Sequence, residues 1–119
     1  MVEGYLTTHV LDTARGSPAV GMVVELYRLT ADGRVALARM MTNSDGRTDS
    51  PILPKGDFAT GRYELIFHAG DYLDATGAAP ESPRFLDQIP IGFGISDDSA
   101  HYHVPLLLSP FGYSTYRGS

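Results

Sequence analysis

The 119-residue chain has no cysteine. That removes disulfide scaffolds, zinc fingers and thiol nucleophiles from consideration. Positive charge is scarce as well. Nine Lys and Arg, scattered along the chain, face 14 Asp and Glu, for a net charge of −5 and a pI of about 5.1. An acidic chain without a basic patch argues against a nucleic-acid surface. No apolar run approaches the ~18 residues that span a bilayer, so no membrane partner is expected. The start, Met1-Val2-Glu3-Gly4, lacks the basic and apolar regions of a signal peptide, and the end, Arg117-Gly118-Ser119, is not a peroxisomal Ser-Lys-Leu address. The expected compartment is therefore the cytoplasm. Nucleophile and phosphate motifs are missing too. There is no Gly-x-Ser-x-Gly elbow and no Walker loop, and Gly92-Phe93-Gly94 sits inside a strand pattern with no helix to follow.

What is present suits one domain over 1–119. Hydrophobic residues make up 43% and charged residues 19%. Scaling of surface with mass predicts roughly 6,300 Å² of folded surface, enough burial for one core. The dominant sequence period is two, that of strands. Tyr102, Val104, Leu106 and Leu108 alternate with His101, His103, Pro105 and Leu107. The same alternation runs through Ile89-to-Ile95, Tyr63-to-Phe67 and Met22-to-Leu26, and Leu6 and Val10 oppose Thr7 and His9. The stretches 34–42 and 112–117 also read as strands. Turn residues separate these segments at Gly16-Ser17-Pro18, Asp32-Gly33, Asp45-Gly46, Pro54-Lys55-Gly56 and Ser109-Pro110. The pattern predicts an all-β antiparallel sandwich or small barrel. One short helix is expected over roughly 72–78, capped by Asp71. Pro90 and Pro105 lack donors and belong on edges or at strand irregularities.

Alternation also locates candidate chemistry. His9, His101 and His103 fall opposite their strands' apolar rows, so the three imidazoles share an outer face if those strands are neighbours. Imidazole titrates near neutrality and can activate water without a covalent intermediate. His-x-His on a strand can also hold zinc, but only His9 offers a third ligand, so no metal and no cofactor are expected. His68, which shares its face with Glu64, reads as an ordinary surface residue. Arg47 follows the turn Asn43-Ser44-Asp45-Gly46, where a strand meets a loop. It is either a solvated turn arginine or a fixed cation that orients carbonyl oxygens. The strand pattern near the C-terminus continues almost to the last residue, where most chains fray.

Two runs carry a family resemblance. Leu6-Thr7-Thr8-His9-Val10-Leu11-Asp12 with Gly16-Ser17-Pro18-Ala19 resembles the first strand and turn of transthyretin-like proteins. His101 to Ser119, HYHVPLLLSPFGYSTYRGS, resembles the signature of that family's 5-hydroxyisourate hydrolase branch, and the Tyr116-Arg117-Gly118-Ser119 ending separates it from the hormone carrier. The resemblance covers essentially the whole chain. It implies a transthyretin-like sandwich of two four-stranded antiparallel sheets with one short helix, assembled as a homotetramer, a dimer of dimers with active sites in the channel between them. It implies opening of the small-molecule substrate 5-hydroxyisourate to 2-oxo-4-hydroxy-4-carboxy-5-ureidoimidazoline in urate breakdown. Carried over by position, His9, Arg47 and His103 are catalytic, and His9, Arg47, Tyr116, Arg117, Gly118 and Ser119 bind substrate. His101 matches the signature without an assigned role. The competing class is a carrier that binds a hydrophobic ligand in the same channel.

Overall fold

A computed structural model describes residues 4–118. Eight strands and one α-helix follow the chain: β1 (Tyr5–Asp12), β2 (Ser17–Pro18), β3 (Val23–Thr30), β4 (Gly33–Met41), β5 (Gly61–His68), α1 (Ala69–Thr76), β6 (Gln88–Ile95), β7 (His101–Ser109) and β8 (Gly112–Thr115). They form two four-stranded sheets, ordered β2-β1-β7-β8 and β4-β3-β5-β6.

The core is what alternation predicts. Leu6, Val10, Leu106 and Leu108 from the first sheet meet Val24, Leu26, Leu65 and Phe67 from the second, all fully buried. Apolar burial of this kind contributes about 25 cal/mol per Å². The folded surface is 6482 Å². Two polar residues on the inward row of β1 are satisfied rather than exposed. The Thr8 hydroxyl donates to the Val104 carbonyl at 2.7 Å, and Asp12 accepts the Tyr72 hydroxyl at 2.7 Å and the Arg15 N–H at 3.1 Å. Burial and the Asp12 carboxylate push the Tyr72 phenol up to about 12. This pair ties α1 to the end of β1.

Three expectations change. The first sheet is not wholly antiparallel, because β1 and β7 run parallel over eight registered pairs. A period of two marks which residues share a face but carries no strand direction. The helix starts earlier, at Ala69, directly where β5 ends, and Asp71 is not its cap: the cap position is His68, which makes no side-chain capping bond. Asp71 instead lies in the first turn, where its charge suits the helix dipole. The early start is supported from outside the helix, since the Gly70 N–H donates to the Asp87 carbonyl at 3.0 Å. A Cβ on Gly70 would strike Asp87, which requires glycine there. Gly77, at φ 71°, ends the helix in the left-handed conformation. Finally, β8 stops at Thr115 rather than 117, and the ladder resumes only as a bridge between His103 and Gly118. Pro105 sits beside that break, and Pro90 lies on the edge strand β6, as residues without an N–H should.

Candidate active site

Parallel pairing of β1 with β7 sets Tyr5 beside His101, Thr7 beside His103 and His9 beside Pro105. In-register neighbours share a face, so His9, His101 and His103 stand together outside the sandwich, with Thr7 among them. The turn at 43–47 builds the adjacent wall. The Asn43 side-chain oxygen accepts the Asp45 N–H (2.9 Å) and the Arg47 N–H (3.2 Å), and the Arg47 carbonyl accepts the Asn43 N–H at 2.7 Å. Gly46, at φ 74°, lets the Val10 N–H reach its carbonyl at 2.8 Å, and a Cβ there would collide with the Val10 carbonyl. The turn is thereby stitched to β1, and Arg47 is bridged to His9. A cleft of about 250 Å³ opens here, lined by Tyr5, Thr7, Arg47, Thr48, Asp49 and His101 among others.

The imidazoles are held by specific contacts. Thr7 Oγ1 lies 2.6 Å from His101 Nε2 and 2.7 Å from His103 Nδ1. Tyr5 stacks on His101 with ring centroids 4.2 Å apart and planes 7° from parallel. The Gly118 N–H donates to the His103 carbonyl at 2.8 Å. A Cβ on Gly118 would come within 2.5 Å of His103 Cδ2, so the tail backbone rests directly on that ring. Burial and the Arg47 guanidinium lower the pKa of His9, against the Asp45 carbonyl and charge. Burial, Arg47, His101 and His9 lower that of His103, against the Thr7 carbonyl. Both shifts favour the neutral ring, which keeps a lone pair for proton abstraction.

The structure thus brings together His9, Arg47, His101, His103 and Gly118. It does not bring Arg117 to them. Its guanidinium carbon stands 4.0 Å over the Tyr102 ring, and Tyr102 is buried on the inward side of β7. Where Gly118 meets His103, its neighbour Arg117 must face the other way. Tyr116 and Arg117 line a separate cleft of about 260 Å³ with Ile91, Phe93, Ser96 and Tyr102. Ser119 lies outside the described residues. His68 is not a solvated surface residue: its side chain is 12% exposed and its Nε2 lies 2.6 Å from Glu25 Oε1. Of two further residues on the histidine face, Thr7 was legible only as an outward position and Tyr5 was not singled out, because their partners lie almost a full chain length away.

A family model for the HIUase/Transthyretin family matches residues 6–118. The chain belongs to that family. Within it, the chain is 59% identical to a 5-hydroxyisourate hydrolase 2 from Rhizobium meliloti (strain 1021) over 117 residues, 98% of each chain. Among solved structures, it is similar to a Klebsiella pneumoniae 5-hydroxyisourate hydrolase at TM-score 0.80 and 34% identity, covering 98% of this chain and 99% of that one. Sea bream transthyretin in complex with thyroxine superposes at TM-score 0.85 with 28% identity, covering 95% and 93%. A structure of (S)-allantoin synthase matches at TM-score 0.93 and 45% identity over 99% of this chain, which spans 44% of that longer chain. The backbone is thus as close to a thyroxine-binding member of the family as to a hydrolase, and the side chains of the site must decide between them.

Among the described residues, no three His, Asp or Glu side chains converge as a metal-holding group. What the HIUase/Transthyretin fold presents here is a cluster of imidazoles, those of His9 and His103 with lowered pKa, beside the Arg47 guanidinium. That combination can take a proton from water and stabilise an oxyanion.

Proposed function

We propose that this chain, as one domain over 1–119, hydrolyses 5-hydroxyisourate. The observation that carries the reading is the convergence of His9, His103 and Arg47 on one outer face, where burial and that arginine favour the neutral form of both imidazoles. The 59% identical hydrolase relative supports it. His103, in concert with His9, removes a proton from water as the oxygen attacks the ring carbonyl. Arg47 binds the carbonyl oxygen and stabilises the negative charge that develops there. The C–N bond then breaks, and the leaving nitrogen takes a proton from the imidazolium. No covalent intermediate, metal or cofactor enters the scheme.

Gly118 acts through its backbone, which fixes His103. Arg117 anchors the tail from the opposite side: the guanidinium stacked on Tyr102 holds the segment against β7. The working unit is a homotetramer, a dimer of dimers, in the cytoplasm. Leu11 and Leu107 on the histidine face are only half-buried in the single chain, and a second histidine face would cover them. The assay generates the substrate in place from urate with urate oxidase and follows decay of its ultraviolet absorbance. The expected result is decay faster than the spontaneous background. No acceleration, with tight binding of an iodinated phenol instead, would establish the carrier reading that the transthyretin likeness favours.

A further inference from the structure

Thr7 occupies a position that the proposed reaction does not yet use. Its hydroxyl sits between two imidazole nitrogens, 2.6 Å from His101 Nε2 and 2.7 Å from His103 Nδ1. A hydroxyl has one proton. With one proton and two lone pairs, it can donate to at most one of the two rings, so at least one of them must present an N–H to it. Were Thr7 to donate to His103, that ring would carry its proton on Nε2 and could not take another there. Were it to accept from His103, the Nε2 lone pair would be free.

We propose that Thr7 is the positioning residue of this site: it accepts the Nδ1–H of His103 and donates to Nε2 of His101, leaving His103 Nε2 as the base. The inference rests on the hydrolase reading for its rate consequence but not for its geometry. One further feature favours this direction. The Thr7 backbone carbonyl also favours the protonated form of the His103 ring; a carbonyl only accepts, so it too calls for an N–H on that ring. His101, in turn, is held in place by stacking. It is clamped flat against Tyr5 at 4.2 Å, and the Lys55 ammonium lies 5.6 Å from the Tyr5 ring centroid on this same assembly. This assigns His101 a task. Its Nε2 takes the Thr7 proton, which leaves the Thr7 lone pairs for His103. As His103 gains a proton at Nε2 during the reaction, its Nδ1–H becomes the donor of a charge-assisted bond to Thr7. No proton moves through Thr7. It does for His103 what an orienting carboxylate does in a catalytic triad, without adding charge.

The test compares Thr7→Val, which keeps the shape and removes the hydroxyl, with Thr7→Ser, which keeps the hydroxyl. Thr7→Val is expected to lower kcat roughly tenfold or more with KM little changed, whereas Thr7→Ser stays near wild type. Nitrogen-15 spectra of the intact protein give a readout that needs no activity. Wild type and Thr7→Ser should show His103 protonated on Nδ1, and Thr7→Val should show mixed tautomers. A wild-type His103 protonated on Nε2 would overturn the proposal, as would a Thr7→Val enzyme with unchanged kcat, or a Thr7→Ser variant as impaired as Thr7→Val. A wild-type protein that shows the Nδ1–H tautomer yet does not accelerate hydroxyisourate decay would support the Thr7 geometry and sink the hydrolase reading alone.

Discussion

The two sheets each carry histidine on their outer faces, and they treat it in opposite ways. On the second sheet, His68 meets Glu25 at 2.6 Å, and Glu25 also accepts the Tyr27 hydroxyl at 3.1 Å and pairs with Arg39 at 3.3 Å. Alongside, Arg34 pairs with Glu64 at 2.9 Å. Every charge in that cluster has an opposite partner. On the first sheet, His9, His101 and His103 have a hydroxyl, an aromatic ring and a guanidinium around them, and no salt-bridging carboxylate among the described residues. A carboxylate partner would favour the imidazolium and quench the base. A nearby cation does the reverse. The difference teaches that a histidine's surroundings, rather than its presence on an outward row, separate a structural tie from a candidate base.

Breaking the first face should have the largest effect. His103→Ala is expected to lower kcat/KM by about 10²–10⁴, while His68→Gln leaves the rate unchanged in the same assay. An equal loss from both would erase the distinction between the faces. Arg47→Gln comes next, with about 10²–10³ lost from kcat as the oxyanion loses its cation. It should also move the acid limb of the pH–rate profile. His103 acts as a neutral base, so kcat/KM rises with pH through its pKa, which lies below the ordinary 6.5. Arg47, His101 and His9 all push it down; without Arg47 the limb shifts to higher pH, and a fixed or lowered limb would contradict the assignment. Gly118→Ala places a methyl against the His103 ring and should cost roughly 10-fold to 100-fold in kcat through misplacement alone.

The smallest effect belongs to the second face. Glu25→Gln should destabilise the fold by about 1 kcal/mol, discounted for the partial exposure of the pair, with activity retained. Its hydrogen bond from His68 holds the Glu25 carboxyl below the usual 4.5. A lowered carboxylate pKa contributes stability above that value and loses it as pH falls through the folded-state pKa. Thermal denaturation of wild type and Glu25→Gln should therefore differ at neutral pH and converge in acid.

Much of this was readable from residue order alone. The inward row of β1 and the row Tyr102, Val104, Leu106 and Leu108 were visible as alternation, and the outward placement of His9, His101 and His103 followed from it. Arg47 was readable through its Asn-Ser-Asp-Gly turn, whose side-chain and glycine requirements are local. The start of α1 was not, because its first turn is supported by the Asp87 carbonyl, and no local cap announces it. Nor was the pairing of His68, since Glu25 lies on another strand and reaches it only through β3–β5 register.

The sequence by itself determined which side chains face in and which face out, because the backbone of a strand alternates whatever its neighbours are. It also determined the tight turns, through Gly and Asn chemistry that acts over a few residues. Only the tertiary structure decided that β1 lies parallel to β7, and hence that Thr7 falls between His101 and His103 while Arg117 turns away onto Tyr102. The placement of Thr7 depends on contacts between residues some ninety positions apart. Register across such a distance is set by the packing of the whole core, and no local pattern encodes it.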